Sequence, residues 1–179
     1  LREFFITLIP LHLLTIMVLT LGGHERFKIK WVLYLTFVYL AGLGIEIIGV
    51  QTGFPFGIYY YGDVMGPKIL GTPLLIGINW MLLVYSIGFL FKNSSINIIL
   101  KVIISALLMV LLDYLIEPFA IQTGMWQWES DTIPMTNYMA WFLISALFFW
   151  IFYRFMGSKS KNLVAWVSIA WQFIFFLAV

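Results

Sequence analysis

Six long apolar runs dominate the 179-residue sequence and restrict its fold more than any other feature. A helix needs about 20 consecutive apolar residues to cross the hydrocarbon core of a bilayer. Only 10% of the residues are charged, and the mean hydropathy is +1.00. We therefore predict a polytopic membrane protein, all-α, with about six transmembrane helices in one domain over residues 1–179. The runs cover approximately residues 4–22, 31–50, 69–91, 96–118, 134–156 and 163–179.

The charges between the runs predict the orientation in the cytoplasmic membrane. The first run is interpreted as a span and not as a signal peptide, because it is too long and no small-residue cleavage site follows. Acidic residues predominate in the loops 51–68 and 119–133, at Asp63, Glu129 and Asp131, so these loops are predicted to face outward. The other three loops are basic and predicted to be cytoplasmic; they contain His24, Arg26, Lys28, Lys30, Lys92, Arg154, Lys159 and Lys161.

A short motif occurs twice and predicts an internal repeat. Residues 46–53 read EIIGVQTG and residues 117–124 read EPFAIQTG, which are identical at the Glu, Gln, Thr and Gly positions. An aromatic loop follows each copy, and then a span that opens with proline and contains Asn and Trp. We therefore predict that residues 31–91 and 96–156 are two copies of one helix-loop-helix unit. The copies would be related by an axis along the membrane normal, as in parallel-repeat membrane proteins.

Three acids inside the spans are the candidate catalytic residues: Glu46, Asp113 and Glu117. Ionisable groups inside a membrane are costly and usually functional. Asp113 and Glu117 are four residues apart, so they share one helix face. If the repeat brings Glu46 near them, burial and mutual repulsion favour a protonated carboxyl, which is what a general acid requires. The alternative is that each acid reaches headgroups or water, or braces a helix end.

The candidate substrate-binding residues are amides and aromatic side chains. Amides on membrane helices either join helices by hydrogen bonds or orient a water or a carboxyl group. Aromatic residues at the outer boundary belong to an interfacial belt, and some of them are expected to line a cavity. Two tryptophans lie deeper in the membrane than an interfacial belt requires. Each of them either lines a ligand site or packs in the core of the bundle. The candidates are Gln51, Gln122, Asn79, Asn137, Phe56, Tyr59, Tyr61, Trp126, Trp80 and Trp141.

Several function classes are excluded or disfavoured. The chain has no cysteine, and its two histidines, His12 and His24, have no acidic neighbours in a metal-binding spacing. We find no phosphate loop, nucleophile elbow, dinucleotide fingerprint or nucleic-acid signature. The sequence therefore predicts no metal, no cofactor and no nucleic-acid partner.

Three sequence blocks carry a family resemblance: GVQTGFPFGIYYYGDVMGPKILGTPLLIGINW at 49–80, LLMVLLDYLIEPFAIQTGMWQW at 107–128 and IPMTNYMAW at 133–141. The chain resembles the membrane carotenoid biosynthesis family that includes the CruF-type carotenoid 1,2-hydratases and the bisanhydrobacterioruberin hydratases. The resemblance implies addition of water across the terminal carbon–carbon double bond of an acyclic carotenoid, such as lycopene or a bacterioruberin precursor. It transfers no catalytic assignment to individual residues.

This implied chemistry agrees with the residues. Hydration of the alkene needs a proton donor, aromatic faces to stabilise a tertiary cation, and a controlled water. We expect Asp113, the deepest acid, to donate the proton. Glu46 and Glu117 are expected to raise the pKa of Asp113 or to orient the attacking water. The alternatives are a non-catalytic carotenoid-binding subunit, a related cation-mediated enzyme such as a cyclase, and a small transporter.

Overall fold

The computed structural model describes residues 2–25, 27–130, 132–156 and 161–178, and most of these residues are helical. The predicted charges Arg26, Asp131 and Lys159 lie outside the described residues. The helices are α1 (Arg2–Thr7), α2 (Ile9–Gly22), α3 (Ile29–Thr52), α4 (Leu74–Phe91), α5 (Ile98–Thr123), α6 (Met135–Phe155) and α7 (Leu163–Ala178). Four short strands and a 3₁₀ turn at Asp63–Met65 lie in the loops; the strands are β1 (Tyr59–Tyr61), β2 (Lys68–Ile69), β3 (Thr72–Pro73) and β4 (Trp126–Trp128).

The predicted membrane helix bundle is confirmed. In the described part of the chain, the four helices α3 to α6 are long and apolar enough to cross a bilayer. Helices α2 and α7 have 14 and 16 residues, so they extend about 21 and 24 Å. The outward faces of the long helices are apolar and exposed, for example at Leu107 and Leu111 of α5 and at Leu143 and Leu147 of α6. These faces contact lipid in a membrane.

Prolines explain where the helix bounds differ from the predicted runs. The first run divides at Leu8, and α2 begins with Pro10 in its first turn. The third run was expected to start at residue 69, but residues 68–73 form the hairpin β2–β3 and Pro73 caps α4. The fourth run was expected to end at Pro118, but α5 continues through this proline to Thr123. The outer loop therefore begins five residues later than predicted.

Helix α4 is the centre of the bundle. It packs against α2, α3, α5, α6 and α7, and 13 of its 18 residues are buried. A helix that is apolar on all sides is expected to lie inside a bundle. Two glycines allow close packing on α3: a Cβ on Gly77 would lie 2.9 Å from the carbonyl oxygen of Tyr39, and a Cβ on Gly42 would lie 2.7 Å from the Cβ of Trp80.

A buried polar network fastens α2 and α7 to α4 at the end remote from the strands. The Asn162 amide donates to the Tyr85 hydroxyl at 2.8 Å and to the Thr20 carbonyl oxygen at 2.7 Å. The Asn162 carbonyl accepts from the backbone N–H of Ala165 in the first turn of α7. His24 Nδ1 lies 2.7 Å from the same Tyr85 hydroxyl. The network satisfies polar groups that would be costly to bury alone.

The two sequence copies share the same structural landmarks. Both α3 and α5 end at the glycine of their Gln-Thr-Gly sequence, because Gly53 (φ 74°) and Gly124 (φ 71°) take the left-handed conformation that closes a helix. The following helices α4 and α6 begin after Pro73 and Pro134. The two loops are joined because β1 pairs with β4 in an antiparallel ribbon.

Candidate active site

The carboxylate of Glu46 is buried and held by three donors. Tyr59 and Tyr61 donate their hydroxyls to Oε2 at 2.6 and 2.8 Å, and the Trp80 indole donates to Oε1 at 2.9 Å. The two tyrosines alternate on β1, so both point to the same face of the strand. Tyr60 lies between them and is 59% exposed on the other face.

Both tyrosines remain hydrogen-bond donors at any physiological pH. Burial raises the pKa of Tyr59 and of Tyr61, and the nearby Glu46 carboxylate raises each pKa further. A phenol with a raised pKa keeps its proton. The two hydroxyls therefore act as fixed donors to Glu46.

Glu117 is held in the same way by the second copy. The indole N–H groups of Trp126 and Trp128 both donate to Oε2 of Glu117, at 2.9 and 3.0 Å. These tryptophans alternate on β4, as the tyrosines do on β1. Each glutamate thus lies six residues before the end of its helix and is held by two alternate aromatic residues of the strand that follows.

Asp113 occurs in one copy only. It lies one turn before Glu117, and its Oδ2 accepts from the Asn137 amide at 2.8 Å. The position four residues before Glu46 is Gly42, and Trp80 packs against the space that a side chain would fill there. The pocket therefore has a symmetric pair of glutamates and a single aspartate.

Trp80 and Trp141 stack face to face between the two copies. Each follows its capping proline by seven residues. The ring centroids are 4.1 Å apart, and the planes differ by 16°. The stack covers one face of each indole, and the uncovered face of an indole attracts cations.

These side chains line a partly open cavity of about 30 Å³, which is enough for a water molecule. The two glutamates were expected to meet between the copies, and both line this cavity. So do most of the other predicted site residues. The predicted residues in the lining are Glu46, Phe56, Tyr59, Tyr61, Asn79, Trp80, Asp113, Glu117, Trp126, Asn137 and Trp141.

Two predicted site residues lie elsewhere. Gln51 donates to the carbonyl oxygen of Leu70 at 2.9 Å and so braces the β2–β3 hairpin. Gln122 is exposed. Each glutamine follows its glutamate by five residues, which rotates it about 140° around the helix. The structure therefore places neither side chain in the cavity lining.

Three further residues line the cavity that were not among the predicted site residues: Ile76, Ile116 and Trp128. Trp128 carries a signal in the sequence, since it is two residues from Trp126 and a strand places both on one face. The two isoleucines have no such signal, because apolar residues occur on every face of these helices.

The cavity combines carboxyl groups with aromatic faces in a water-poor setting. All three acids are at most 4% exposed. Among the residues that the structure describes, no group of three His, Asp or Glu side chains is placed to hold a metal ion. Such a site can transfer protons and stabilise a carbocation.

Together, the fold and the site define a membrane helix bundle with a pocket of acids and aromatic residues, to which both copies of the Glu-x₄-Gln-Thr-Gly motif contribute their glutamates. The chain belongs to the carotenoid biosynthesis protein family, whose model matches residues 5–179. The family resemblance predicted from the sequence blocks is thereby confirmed.

One curated relative is the bisanhydrobacterioruberin hydratase of Haloarcula japonica. The two chains are 30% identical over 112 residues, which cover 58% of this chain and 38% of the relative. The chain therefore matches well under half of the relative's length. No solved structure is significantly similar to this chain.

Proposed function

We propose that the chain is a carotenoid hydratase that adds water across the terminal C1–C2 double bond of an acyclic carotenoid. The observation that carries this proposal is the single cavity that joins Asp113, Glu46 and Glu117 with the stacked Trp80 and Trp141. Membership in the carotenoid biosynthesis family and the similarity to a hydratase support the substrate class and the reaction type.

Asp113 is proposed as the proton donor. Its Oδ2 is engaged by Asn137, whereas no described residue donates to its Oδ1. The Oδ1–H bond breaks, and the π electrons of the alkene form a new C–H bond at C2. The positive charge then rests on C1, which is a tertiary centre. A positioned carboxylic acid contributes about 10²- to 10⁴-fold to such a step.

The cation at C1 is stabilised by its surroundings until water arrives. The faces of Trp80 and Trp141 attract positive charge, by about 0.5–2 kcal/mol per contact. The carboxylate of Glu46 adds a fixed negative charge, which its three donors hold in place. We therefore assign Glu46 an organising and electrostatic role.

Glu117 is proposed to accept the proton that the water loses. Its Oε2 binds the two indoles, and no described residue donates to its Oε1. The water oxygen bonds to C1, and one of its protons moves to Oε1. Transfer of a proton from Glu117 to Asp113, one helical turn away, restores the starting state. The net reaction consumes one alkene and one water and gives one tertiary alcohol.

Substrate binding requires movement of the cavity lining. A volume of about 30 Å³ holds a water but not the end of a carotenoid. Half of the lining residues are aromatic, and Trp126 and Trp128 on β4 are only half-buried. We propose that displacement of these two side chains admits the end group.

The test is expression in a host that accumulates lycopene or another acyclic carotenoid, followed by mass analysis of the extracted pigments. A hydratase gives a product heavier by one water for each modified end. A product of unchanged mass with altered absorption indicates cyclisation. Unchanged pigment that co-purifies with the protein indicates a non-catalytic binding subunit, and either of these results contradicts the proposal.

A further inference from the structure

Asn79 is a polar residue of the cavity for which the described residues provide no hydrogen-bond partner. It lies on α4 next to Trp80, is half-buried and lines the cavity. Within the described residues, no hydrogen bond engages its amide, whereas Asn137 donates to Asp113. A fully buried amide without a partner costs about 1–3 kcal/mol, and the half-buried Asn79 amide is still accessible to a small polar molecule. The position therefore favours a polar molecule inside the cavity.

The cavity has the size and the chemistry of a water site. Its volume is about 30 Å³, and a buried water needs roughly 10–15 Å³ and two to four polar partners. The Asn79 amide offers both donors and an acceptor. From the same lining, Oε1 of Glu117 offers an acceptor and the protonated Oδ1 of Asp113 offers a donor.

We propose that Asn79 holds the water molecule that attacks C1, so that Asn79 is the positioning residue for the nucleophile. This inference rests on the proposed hydratase function. The Asn79 carbonyl accepts one O–H of the water, which aims an oxygen lone pair at the cation. The water oxygen then bonds to C1, and its second proton passes to Glu117. After the reaction, Asn79 is bonded to the tertiary hydroxyl of the product.

The role of Asn79 can be measured because the tertiary cation at C1 has two possible fates. The cation either captures the water and becomes the alcohol, or it loses a proton and returns to an alkene. In deuterated water, Asp113 delivers a deuteron to C2, and loss of the original C2 proton or of a methyl proton next to C1 then leaves deuterium in the recovered carotenoid. The ratio of alcohol to deuterated alkene therefore reports on water capture alone.

The experiment compares wild type with Asn79→Leu and Asn79→Ser, using purified protein and an acyclic carotenoid in deuterated water. We expect Asn79→Leu to form alcohol about tenfold more slowly, the effect of one lost hydrogen bond, while deuterium incorporation is kept or increased. Asn79→Ser retains a hydroxyl and should recover part of the alcohol formation. Ser86→Ala removes another buried polar group of α4 outside the cavity, and its ratio should match wild type.

Three results overturn the inference. Asn79→Leu could form alcohol at the wild-type rate, it could lose alcohol and deuterium incorporation in equal measure, or Ser86→Ala could change the ratio as much as Asn79→Leu does. Wild type that forms neither alcohol nor deuterated carotenoid contradicts the hydratase function itself. The wild-type measurement alone thus tests the hydratase function, and the variants test the role of Asn79.

Discussion

The indoles of Trp80 and Trp141 stack with their centroids 4.1 Å apart, although 61 positions separate them in the chain. Each indole follows a helix-capping proline by seven residues, so the contact joins equivalent positions of the two sequence copies. Trp80 also donates to Glu46. The pair therefore links the boundary between the copies to the acids of the cavity.

If the stacked indoles stabilise a cation, replacement of Trp141 has a graded effect. Trp141→Phe keeps an aromatic face and should retain most of the turnover. Trp141→Leu removes the face and should lower turnover by about 5- to 30-fold, which corresponds to about 1–2 kcal/mol of cation–π attraction. Initial rates with a saturating acyclic carotenoid measure the difference. Equal rates for the two variants would mean that the ring only fills space.

Close packing at Gly42 can be tested against a matched glycine on the same helix. A Cβ at Gly42 would lie 2.7 Å from Trp80, whereas nothing lies within 4 Å of a Cβ at Gly44. We expect Gly42→Ala to destabilise the protein by about 1–3 kcal/mol and to displace the Trp80 indole from Glu46. Gly44→Ala should be neutral or slightly stabilising. Thermal unfolding in detergent measures both effects, and equal midpoints would contradict the close packing of Gly42 against Trp80.

The membrane bundle and the meeting of the acids could be predicted because strong physical effects determine them. Long apolar runs must be helical in lipid, and the repeated Glu-x₄-Gln-Thr-Gly motif marks equivalent positions. The motif alone did not show, however, that its glutamate lines the cavity while its Gln-Thr-Gly sequence ends the helix. Glu46 and Glu117 enter the cavity, whereas the following Gln-Thr-Gly sequences end the helices and leave Gln51 and Gln122 outside it.

The hydrogen-bond partners of the acids were beyond prediction from the sequence. Four of these partners, Tyr59, Tyr61, Trp126 and Trp128, lie on the ribbon between β1 and β4, whose strands are 65 residues apart and have only three residues each. So short a strand leaves little periodic signal. An interfacial belt explained the same aromatic residues equally well, which is why Trp128 was not among the predicted site residues.

The tyrosines that hold Glu46 have an internal control. Tyr59→Phe and Tyr61→Phe each remove one hydrogen bond to a carboxylate and should each cost about 1.5–3 kcal/mol of stability. Tyr60→Phe alters an exposed hydroxyl between them and should have no measurable effect. Unfolding midpoints of the three variants give the comparison. A loss as large for Tyr60→Phe as for its neighbours would contradict the observed strand register.

The proton donor is tested by Asp113→Asn. The amide keeps the size of the side chain but cannot donate a carboxylic proton, so we expect hydration to fall by at least about 10²-fold. Carotenoid that co-purifies with the variant should be retained, because the aromatic lining is unchanged. Glu129→Gln changes an exposed acid outside the cavity and should leave the rate unaltered. Full activity of Asp113→Asn would show that Asp113 is not the proton donor.

The proposed hydration is tested most directly by the source of the oxygen in the product. Purified protein is incubated with an acyclic carotenoid in water enriched in oxygen-18, and the pigment is analysed by mass spectrometry. Hydration with Asp113 as the proton donor predicts a tertiary alcohol that carries one heavy oxygen for each modified end, formed by wild type and nearly absent with Asp113→Asn. Carotenoid that stays bound without any gain of heavy oxygen would contradict it.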